Sequence, residues 1–262
     1  MNKIKVYVAV PTMGTIADAQ VWFWRDAEKL YADKIEFIWP EMCVRRVFHD
    51  FARNMHVENF LKSEADILFF LDSDVVPPPD IFDLVLDHEK WIVAGAPYPI
   101  FITPPGHDQP QIQFTAYKGK GKNGGLAAAD VPAKGTDYID GLATGCLFIK
   151  RKLLEELEKP YFAFEFDSET RNMTAGEDLS FCHKVIDLGY QFYVDYSKVC
   201  RHYKSVCLLE MNNYAMSYAK KSVDAYAGIV KPMLDEVSRR IREQKKPAIV
   251  SPTAALINKF RT

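Results

Sequence analysis

The sequence contains no run of about eighteen apolar residues, which is the length that a helix needs to cross a bilayer. Residues 1–5 lead directly into a strand-like run, without the apolar core of a signal peptide. Cysteine is also scarce: there are five, with irregular spacings and no Cys-x-x-Cys pair. An odd, irregular set argues against a disulfide framework. Together these absences lead us to expect a cytoplasmic protein.

A structural zinc site is not expected either. Cys200, His202 and Cys207 lie close together in the sequence, but the second ligand pair of such a site is missing. Charge of one sign is not in excess, since 33 basic and 35 acidic residues give a net charge of −2. That balance gives no global signal for nucleic acid or an anionic membrane. Two basic segments, residues 118–122 and 239–246, are most simply solvated surface.

Apolar runs and helical periodicities alternate along most of the chain, and this alternation predicts an α/β fold with a central, mainly parallel sheet. Strands are predicted at residues 6–10, 35–38, 67–71, 92–96, 143–149 and 191–195. Helices are predicted at residues 19–30, 48–61, 81–88 (capped by Asp80), 151–158, about 179–186 (ended by Gly189) and 208–244. Residues 103–136 show no clear period and predict a long loop. We therefore expect a catalytic domain over residues 1–207 and a helical C-terminal extension over residues 208–262.

Two acids directly follow the most apolar predicted strand. Residues 67–71 do not alternate in polarity, as is typical of a strand buried on both faces, and Asp72-Ser73-Asp74 comes next. Ligands of such sheets bind at the carboxyl ends of strands. Two carboxylates in a cleft repel each other, and a divalent cation such as Mg²⁺ or Mn²⁺, shared with substrate phosphates, relieves that repulsion. A solvated turn is the alternative interpretation.

Several other polar residues have both a functional and a purely structural interpretation. Glu177 and Asp178 begin a predicted helix, where they either stabilise the helix dipole or present a general base. His202 is either a structural histidine or, with Asp74, part of a mixed metal site. Arg53 is either a surface residue or a contact to a nucleotide base or phosphate. The segment around Thr144 and Gly145 either allows close approach of a ligand to the backbone or forms a tight turn.

The order of these features resembles the GT-A glycosyltransferases, particularly family-2-like enzymes, over residues 6–203. The matching features are Pro11-Thr12 after the first strand, Ala52-Arg53-Asn54 on a helix, Asp72-Ser73-Asp74 after a strand, the segment 143–147, Gly176-Glu177-Asp178-Leu179 and His202. The resemblance implies a GT-A, Rossmann-like fold: a mixed but mainly parallel central sheet flanked by helices.

The same resemblance implies roles for matching residues. Asp74 and His202 would bind Mn²⁺ or Mg²⁺, and Asp72 would contact the ribose or the metal. Asp178 would be the catalytic base of an inverting enzyme, with Glu177 as the fallback. The nucleotide-sugar pocket would be lined by Pro11, Thr12, Arg53, Asp72, Ser73, Thr144 and Gly145.

The function expected from this resemblance is metal-dependent transfer of one sugar from a nucleotide-sugar, by default a UDP-sugar, to an acceptor hydroxyl. The Gln-x-x-Arg-Trp motif of processive synthases is absent from the sequence, which favours single transfers. The acceptor stays open among a glycan, a protein, a small molecule, a lipid and a modified nucleic acid, as does the oligomeric state. Two alternatives are a haloacid-dehalogenase-like phosphatase, with Asp72 as nucleophile, and a non-catalytic nucleotide-sugar-binding module.

Overall fold

A computed structural model of the protein describes residues 2–12, 14–40, 47–103, 111–120, 125–132 and 134–205. The chain divides into two compact units, Met1–Lys204 and Ser205–Thr262, and every described helix and strand belongs to the first. The helical extension predicted for residues 208–262 lies outside the described residues, as do Cys43, Cys207 and the basic segment at residues 239–246.

Sixteen strands are described, many of them short, together with five α-helices. The strands are β1 (Ile4–Ala9), β2 (Ile35–Ile38), β3 (Ile67–Leu71), β4 (Val75–Val76), β5 (Val93–Gly95), β6 (Pro99–Ile102), β7 (Gln111–Phe114), β8 (Ala116–Lys120), β9 (Leu126–Ala128), β10 (Thr136–Ile139), β11 (Gly141–Leu142), β12 (Cys146–Lys150), β13 (Glu165–Phe166), β14 (Met173–Ala175), β15 (Phe192–Asp195) and β16 (Arg201–His202). The helices are α1 (Asp18–Tyr31), α2 (His49–Lys62), α3 (Asp83–Leu86), α4 (Arg151–Glu156) and α5 (Glu177–Asp187).

The central sheet has seven strands in the order β10-β15-β5-β12-β3-β1-β2. β1 is parallel to both β2 and β3, and β15 is parallel to β5. β12 is antiparallel to both β3 and β5, and β10 is antiparallel to β15. Five strands therefore share one direction and two oppose it. The predicted mixed, mainly parallel α/β sheet of a Rossmann-like, GT-A type is confirmed.

β3 shows why its sequence has no alternation. All five of its side chains are buried, and they divide between two cores. Phe69 packs on the α1 side, near Trp24 and Phe82, whereas Phe70 packs on the α2 side, near Phe162. A strand covered by a helix on each face must be apolar throughout. The sheet is thus the middle of three layers, and β3 is held between the two cores along its whole length.

Arg151 anchors the C-terminal end of α2 to the start of α4. Its guanidinium donates hydrogen bonds to the carbonyls of Phe60, Leu61, Ser63 and Ala65, at distances from 2.7 to 3.1 Å. Phe60 and Leu61 lie in the last turn of α2, where carbonyls have few partners within the helix, so a basic side chain satisfies them well. This contact fixes the helix that carries Arg53.

Most predicted elements are confirmed, and those at residues 35–38 and 67–71 have the predicted bounds. Gly189 follows α5 with a φ of 81°, as expected of a helix-ending glycine. The predicted helix at residues 81–88 is wrong in extent: α3 is a single turn between two 3₁₀ turns, Pro79–Phe82 and His88–Lys90. Asp80 does not cap it, because its carboxylate is paired with Lys198, 2.5 Å away.

The long loop predicted at residues 103–136 is also wrong for the part that the structure describes. It contains β7, β8, β9 and the start of β10. β7 pairs with β6, and β8 pairs with both β9 and β11. These strands are short and partly exposed, so they lack the apolar periodicity on which the prediction relied. In the described part of the chain, no helix combines the length and apolarity needed to span a bilayer.

Candidate active site

The predicted site residues lie at the edge of the central sheet where its parallel strands end. β1 and β3 both run toward this edge, and β12, which runs the opposite way, begins there. Hydrogen bonds and ion pairs join the segments around it: residues 17–20, 53, 72–75, 144–145, 177–178 and 202–204. This is the edge at which such sheets bind ligands.

The acidic turn, residues 72–74, is held in place through its backbone. Asp72 donates its N–H to the carbonyl of Gly145 (3.0 Å), and the N–H of Ala17 donates to the carbonyl of Ser73 (2.8 Å). Gln20, on α1, is completely buried and donates from Nε2 to the carbonyls of Asp72 (2.5 Å) and Val75 (2.7 Å). The directions of the two carboxylates are therefore set by neighbouring elements rather than by a free surface turn.

Arg53 is buried, with 1% of its surface exposed, and it faces three carboxylates. Its two terminal nitrogens lie 3.1 and 3.4 Å from the two oxygens of Asp72. Its Nε lies 3.6 Å from Oε1 of Glu177 and 3.6 Å from Oδ1 of Asp178. Burial alone would lower the pKa of Arg53, but the three negative charges outweigh it and raise that pKa. The guanidinium is thus a permanent internal counter-ion.

Asp178 and Glu177 differ in their protonation chemistry. Burial, with the charges of Glu177 and Asp72, raises the pKa of Asp178 in spite of Arg53 and a hydrogen bond donated by Thr144 to Oδ1. For Glu177, burial is outweighed by His49 and Arg53, which lower its pKa; His49 Nδ1 lies 3.7 Å from it. A raised pKa suits a general base near neutral pH.

Two residues predicted to line the nucleotide pocket, Arg53 and Thr144, contact acidic side chains of the protein itself. The guanidinium of Arg53 is enclosed by carboxylates, and Thr144, also completely buried, uses its hydroxyl to orient Asp178. The neighbouring Asn54 is likewise used internally: its side chain bonds the backbone of Tyr161 and Phe162. Arg53 and Thr144 therefore hold acids of the site, and Asn54 holds a neighbouring segment of the chain.

Gly145 has a local reason to be glycine. A Cβ atom built there would lie 2.6 Å from the hydroxyl of Tyr98 and 2.7 Å from its Cζ. Tyr98 is buried, and its ring meets the ring of His202 edge-to-face with centroids 4.9 Å apart. The close approach expected at Gly145 is therefore made by Tyr98, which supports His202.

Asp74 and His202 are brought together by a two-stranded ladder. β16 pairs with β4 so that His202 lies opposite Val75, and the N–H of Tyr203 donates to the carbonyl of Asp74 (2.8 Å). His202 Nδ1 lies 2.8 Å from the carbonyl of Pro99, which can only accept, so Nδ1 carries a proton. Nε2 lies 3.5 Å from Oδ2 of Asp74.

Asp74 also forms an ion pair with Lys204, whose Nζ lies 2.5 Å from the same Oδ2. Burial would raise the pKa of Asp74, but His202 and Lys204 outweigh it and lower that pKa to about 2. Asp74 is therefore a carboxylate at any physiological pH.

The Asp74–His202 pair fits a divalent cation in its donor chemistry. A hard carboxylate oxygen and an imidazole nitrogen suit Mn²⁺ as well as Mg²⁺, and a ligating histidine usually donates its other N–H to a carbonyl, as His202 does to Pro99. Among the described residues, no cluster of three or more His, Cys, Asp or Glu side chains could hold a metal. A cation here would take its other ligands from substrate phosphates and water. Asp72, also predicted as a metal ligand, has both of its oxygens in contact with Arg53.

Two hollows open at this edge of the sheet, and they share Thr12. The smaller, of about 190 Å³, is lined by Pro11, Thr12, Val47, His49, Ala52, Asp72, Ser73, Asp74 and Lys204. The larger, of about 840 Å³, is mostly apolar and includes Val10, Trp24, Trp39 and His56. The hydroxyl of Thr12 itself bonds within its turn, to Thr15 and Gly14. The larger hollow has more room, but the acidic turn, residues 72–74, lies at the smaller one.

Sequence reasoning missed three residues of this site: Gln20, Tyr98 and Lys204. Gln20 lies on an amphipathic helix, where a polar residue normally faces water. Lys204 gives one signal, since it follows His202 by two residues and alternate residues of an extended segment share a face. Tyr98 gives none in the sequence.

Comparison with known proteins gives a fold and no family. No family model matches the chain, and neither does any curated protein sequence. Among solved structures, A197 from STIV matches 77% of this chain and 86% of its own, with 20% identity and a TM-score of 0.50. At that identity the likeness shows a shared fold alone.

Two weaker likenesses involve GalNAc-T7 with UDP, GalNAc and Mn²⁺, and the inositol-1-phosphate CTP transferase from T. maritima. The first matches 78% of this chain and 45% of its own, with 12% identity and a TM-score of 0.45. The second matches 78% and 91%, with 10% identity and a TM-score of 0.37. Neither score is high enough to bear on the site.

We predict that Arg53→Met lowers the free energy of unfolding by about 3–5 kcal/mol near pH 7.5, because it leaves three carboxylates without their buried counter-ion. The deficit relative to wild type should shrink near pH 5. Without Arg53 the folded-state pKa values of the acids rise above their unfolded values, so the folded state regains stability as it binds protons.

Urea unfolding at both pH values measures this effect. Arg25→Met is the matched control, because Arg25 is an exposed arginine paired with Asp26, and its loss should cost less than about 0.5 kcal/mol. Equal midpoints for Arg53→Met and wild type would mean that the buried charge cluster does not hold the site together.

Proposed function

We propose that the protein is a metal-dependent glycosyltransferase that moves one sugar from a nucleotide-sugar, by default a UDP-sugar, to an acceptor hydroxyl. The observation that carries the proposal is the pairing of Asp74 with His202. The Nδ1 proton of His202 is committed to a carbonyl, and Nε2 faces a carboxylate of low pKa. A histidine that binds a metal typically donates its other ring N–H to a carbonyl in this way, so the pair is suited to hold a cation.

The donor would lie across both hollows. Its diphosphate belongs beside the acidic turn, in the smaller hollow, where Asp74 and Lys204 supply one charge of each sign. The nucleobase belongs in the larger, apolar hollow, which adjoins it at Thr12 and contains Trp24 and Trp39. The sugar would then project toward Glu177 and Asp178.

A divalent cation, when bound, would neutralise the charge that develops on the diphosphate leaving group. Asp74 and His202 would hold it, and the rigid turn would keep them aligned. Asp178 would accept the proton of the attacking hydroxyl. Among the described residues, its hydrogen-bond and ion-pair contacts fall on Oδ1, which leaves Oδ2 for an acceptor. Thr144 would orient the carboxylate while it acts.

Assigning the base to Asp178 rather than to Glu177 follows from their surroundings. The pKa of Asp178 is raised and that of Glu177 is lowered, and Glu177 is enclosed by Arg53 and His49. An inverting reaction fits a single base opposite the leaving group, and discrete transfers fit the absence of a processive-synthase motif. We also propose that the protein acts in the cytoplasm.

The phosphatase alternative is less well supported. It requires Asp72 to attack a phosphate, yet Arg53 engages both oxygens of Asp72, and the acids follow the third strand of the chain rather than the first. The binding-module alternative differs only in turnover, so it is tested by measuring UDP release from wild-type protein.

We predict that Asp74→Ala abolishes metal-dependent UDP binding, with a loss of affinity greater than about a hundredfold, because the cation loses its anionic ligand. Titration calorimetry with UDP, in Mn²⁺ and then in chelator, measures it. The matched control is Asp137→Ala, which removes another acid that is 2.5 Å from a lysine but lies outside the site. Wild type that binds UDP equally well with and without metal would contradict the proposal.

We predict that Asp178→Asn binds UDP as wild type does but releases UDP from its sugar donor about a hundredfold more slowly, because the base is lost while the shape is kept. UDP release from a panel of UDP-sugars, with water as acceptor, measures the rate. Asp187→Asn, on the exposed far end of α5, is the control.

The pH profile gives a second measurement of the same residue. Because the pKa of Asp178 is raised, the wild-type rate should fall with decreasing pH at a value above the ordinary 3.8 of an aspartic acid. An unchanged rate in Asp178→Asn would move the base to another residue.

A further inference from the structure

Lys204 occupies the place on Asp74 that a bound cation would need. Its ammonium lies 2.5 Å from Oδ2, and that same oxygen faces Nε2 of His202 at 3.5 Å. A positive charge is therefore already present on this oxygen in the protein itself. An ammonium and a divalent ion on one carboxylate oxygen would repel each other strongly, so both cannot stay.

The lysine is free to leave. Its side chain is 53% exposed, and its contact with Asp74 is the ion pair described above. Lysine carries its charge on a flexible four-carbon stem, so the ammonium can move several ångströms while the backbone stays in place. The backbone is fixed by the neighbouring Tyr203, whose N–H donates to the carbonyl of Asp74.

We propose that Lys204 exchanges partners during donor binding: it neutralises Asp74 in the free protein and moves to the diphosphate of the donor when a divalent cation takes Asp74. This inference rests on the proposed function. Among the described residues lining the smaller hollow, Lys204 is the one lysine or arginine. The other basic side chain there, His49, is directed to Glu177. Lys204 is therefore the natural charge-assisted donor to phosphate oxygens.

The exchange gives Lys204 opposite effects on the affinities for the two ligands. It should weaken the binding of a cation alone, because it competes for Asp74. It should strengthen the binding of the nucleotide once the cation is present, because it then contacts phosphate. If Lys204 only stabilised the fold, its loss would not strengthen the binding of one ligand and weaken the binding of the other.

The test is Lys204→Met, with Mn²⁺ alone and then UDP in saturating Mn²⁺ as probes. Free Mn²⁺ is followed by its electron paramagnetic resonance signal, and UDP binding by calorimetry. We expect Mn²⁺ to bind about two- to fivefold tighter, the range set by losing a partly exposed ion pair. We expect UDP to bind about tenfold more weakly, as for loss of a charged hydrogen bond.

The control is Lys118→Met, since Lys118 forms an ion pair of the same length with Asp137 and is equally exposed, but lies outside the site. It should leave both affinities unchanged. If Lys204→Met binds Mn²⁺ no tighter than wild type, or UDP no more weakly, the exchange is overturned while the proposed function stands. If wild type binds neither Mn²⁺ nor UDP, the proposed function fails, and the exchange fails with it.

Discussion

The structure depends on one buried charge, the guanidinium of Arg53 among three carboxylates. An arginine cannot lose its proton to escape burial, so it has to be paired where it lies. Its partners come from two other elements: Asp72 follows β3, and Glu177 and Asp178 begin α5. The charge therefore fixes α2, β3 and α5 relative to one another. Arg151 does the same for the far end of α2, through its carbonyls.

This constraint separates the two acids of the turn. Asp72 is used inward, on Arg53, whereas Asp74 points to the smaller hollow and to the β4–β16 ladder that carries His202. Asp72 thus helps to hold the site together, whereas Asp74 faces the hollow in which a ligand would bind. Three carboxylates around one arginine also leave this edge of the sheet with an excess of negative charge. A site of that kind favours a bound cation, and Lys204 supplies positive charge when no cation is bound.

How much the sequence could predict depended on whether the signal was local. The bounds of Ile67–Leu71 follow from a strand that must be apolar on both faces, and the importance of Asp74 follows from its place after that strand. Thr144 and Asp178 were both singled out, but their mutual hydrogen bond spans 34 residues and leaves no trace in local pattern. The burial of Arg53 is equally invisible, because it results from partners 19 and more residues away. Strands β7 to β9 were missed because short, half-exposed strands have no strong period.

The anomalous scattering of manganese in a crystal grown with Mn²⁺ and UDP would locate the cation directly. We predict one manganese peak between Oδ2 of Asp74 and Nε2 of His202, with the diphosphate of UDP as its neighbour. A manganese ion bound elsewhere, or UDP bound while Asp74 stays paired with Lys204 and no metal lies beside it, would show that Asp74 and His202 do not form the metal site.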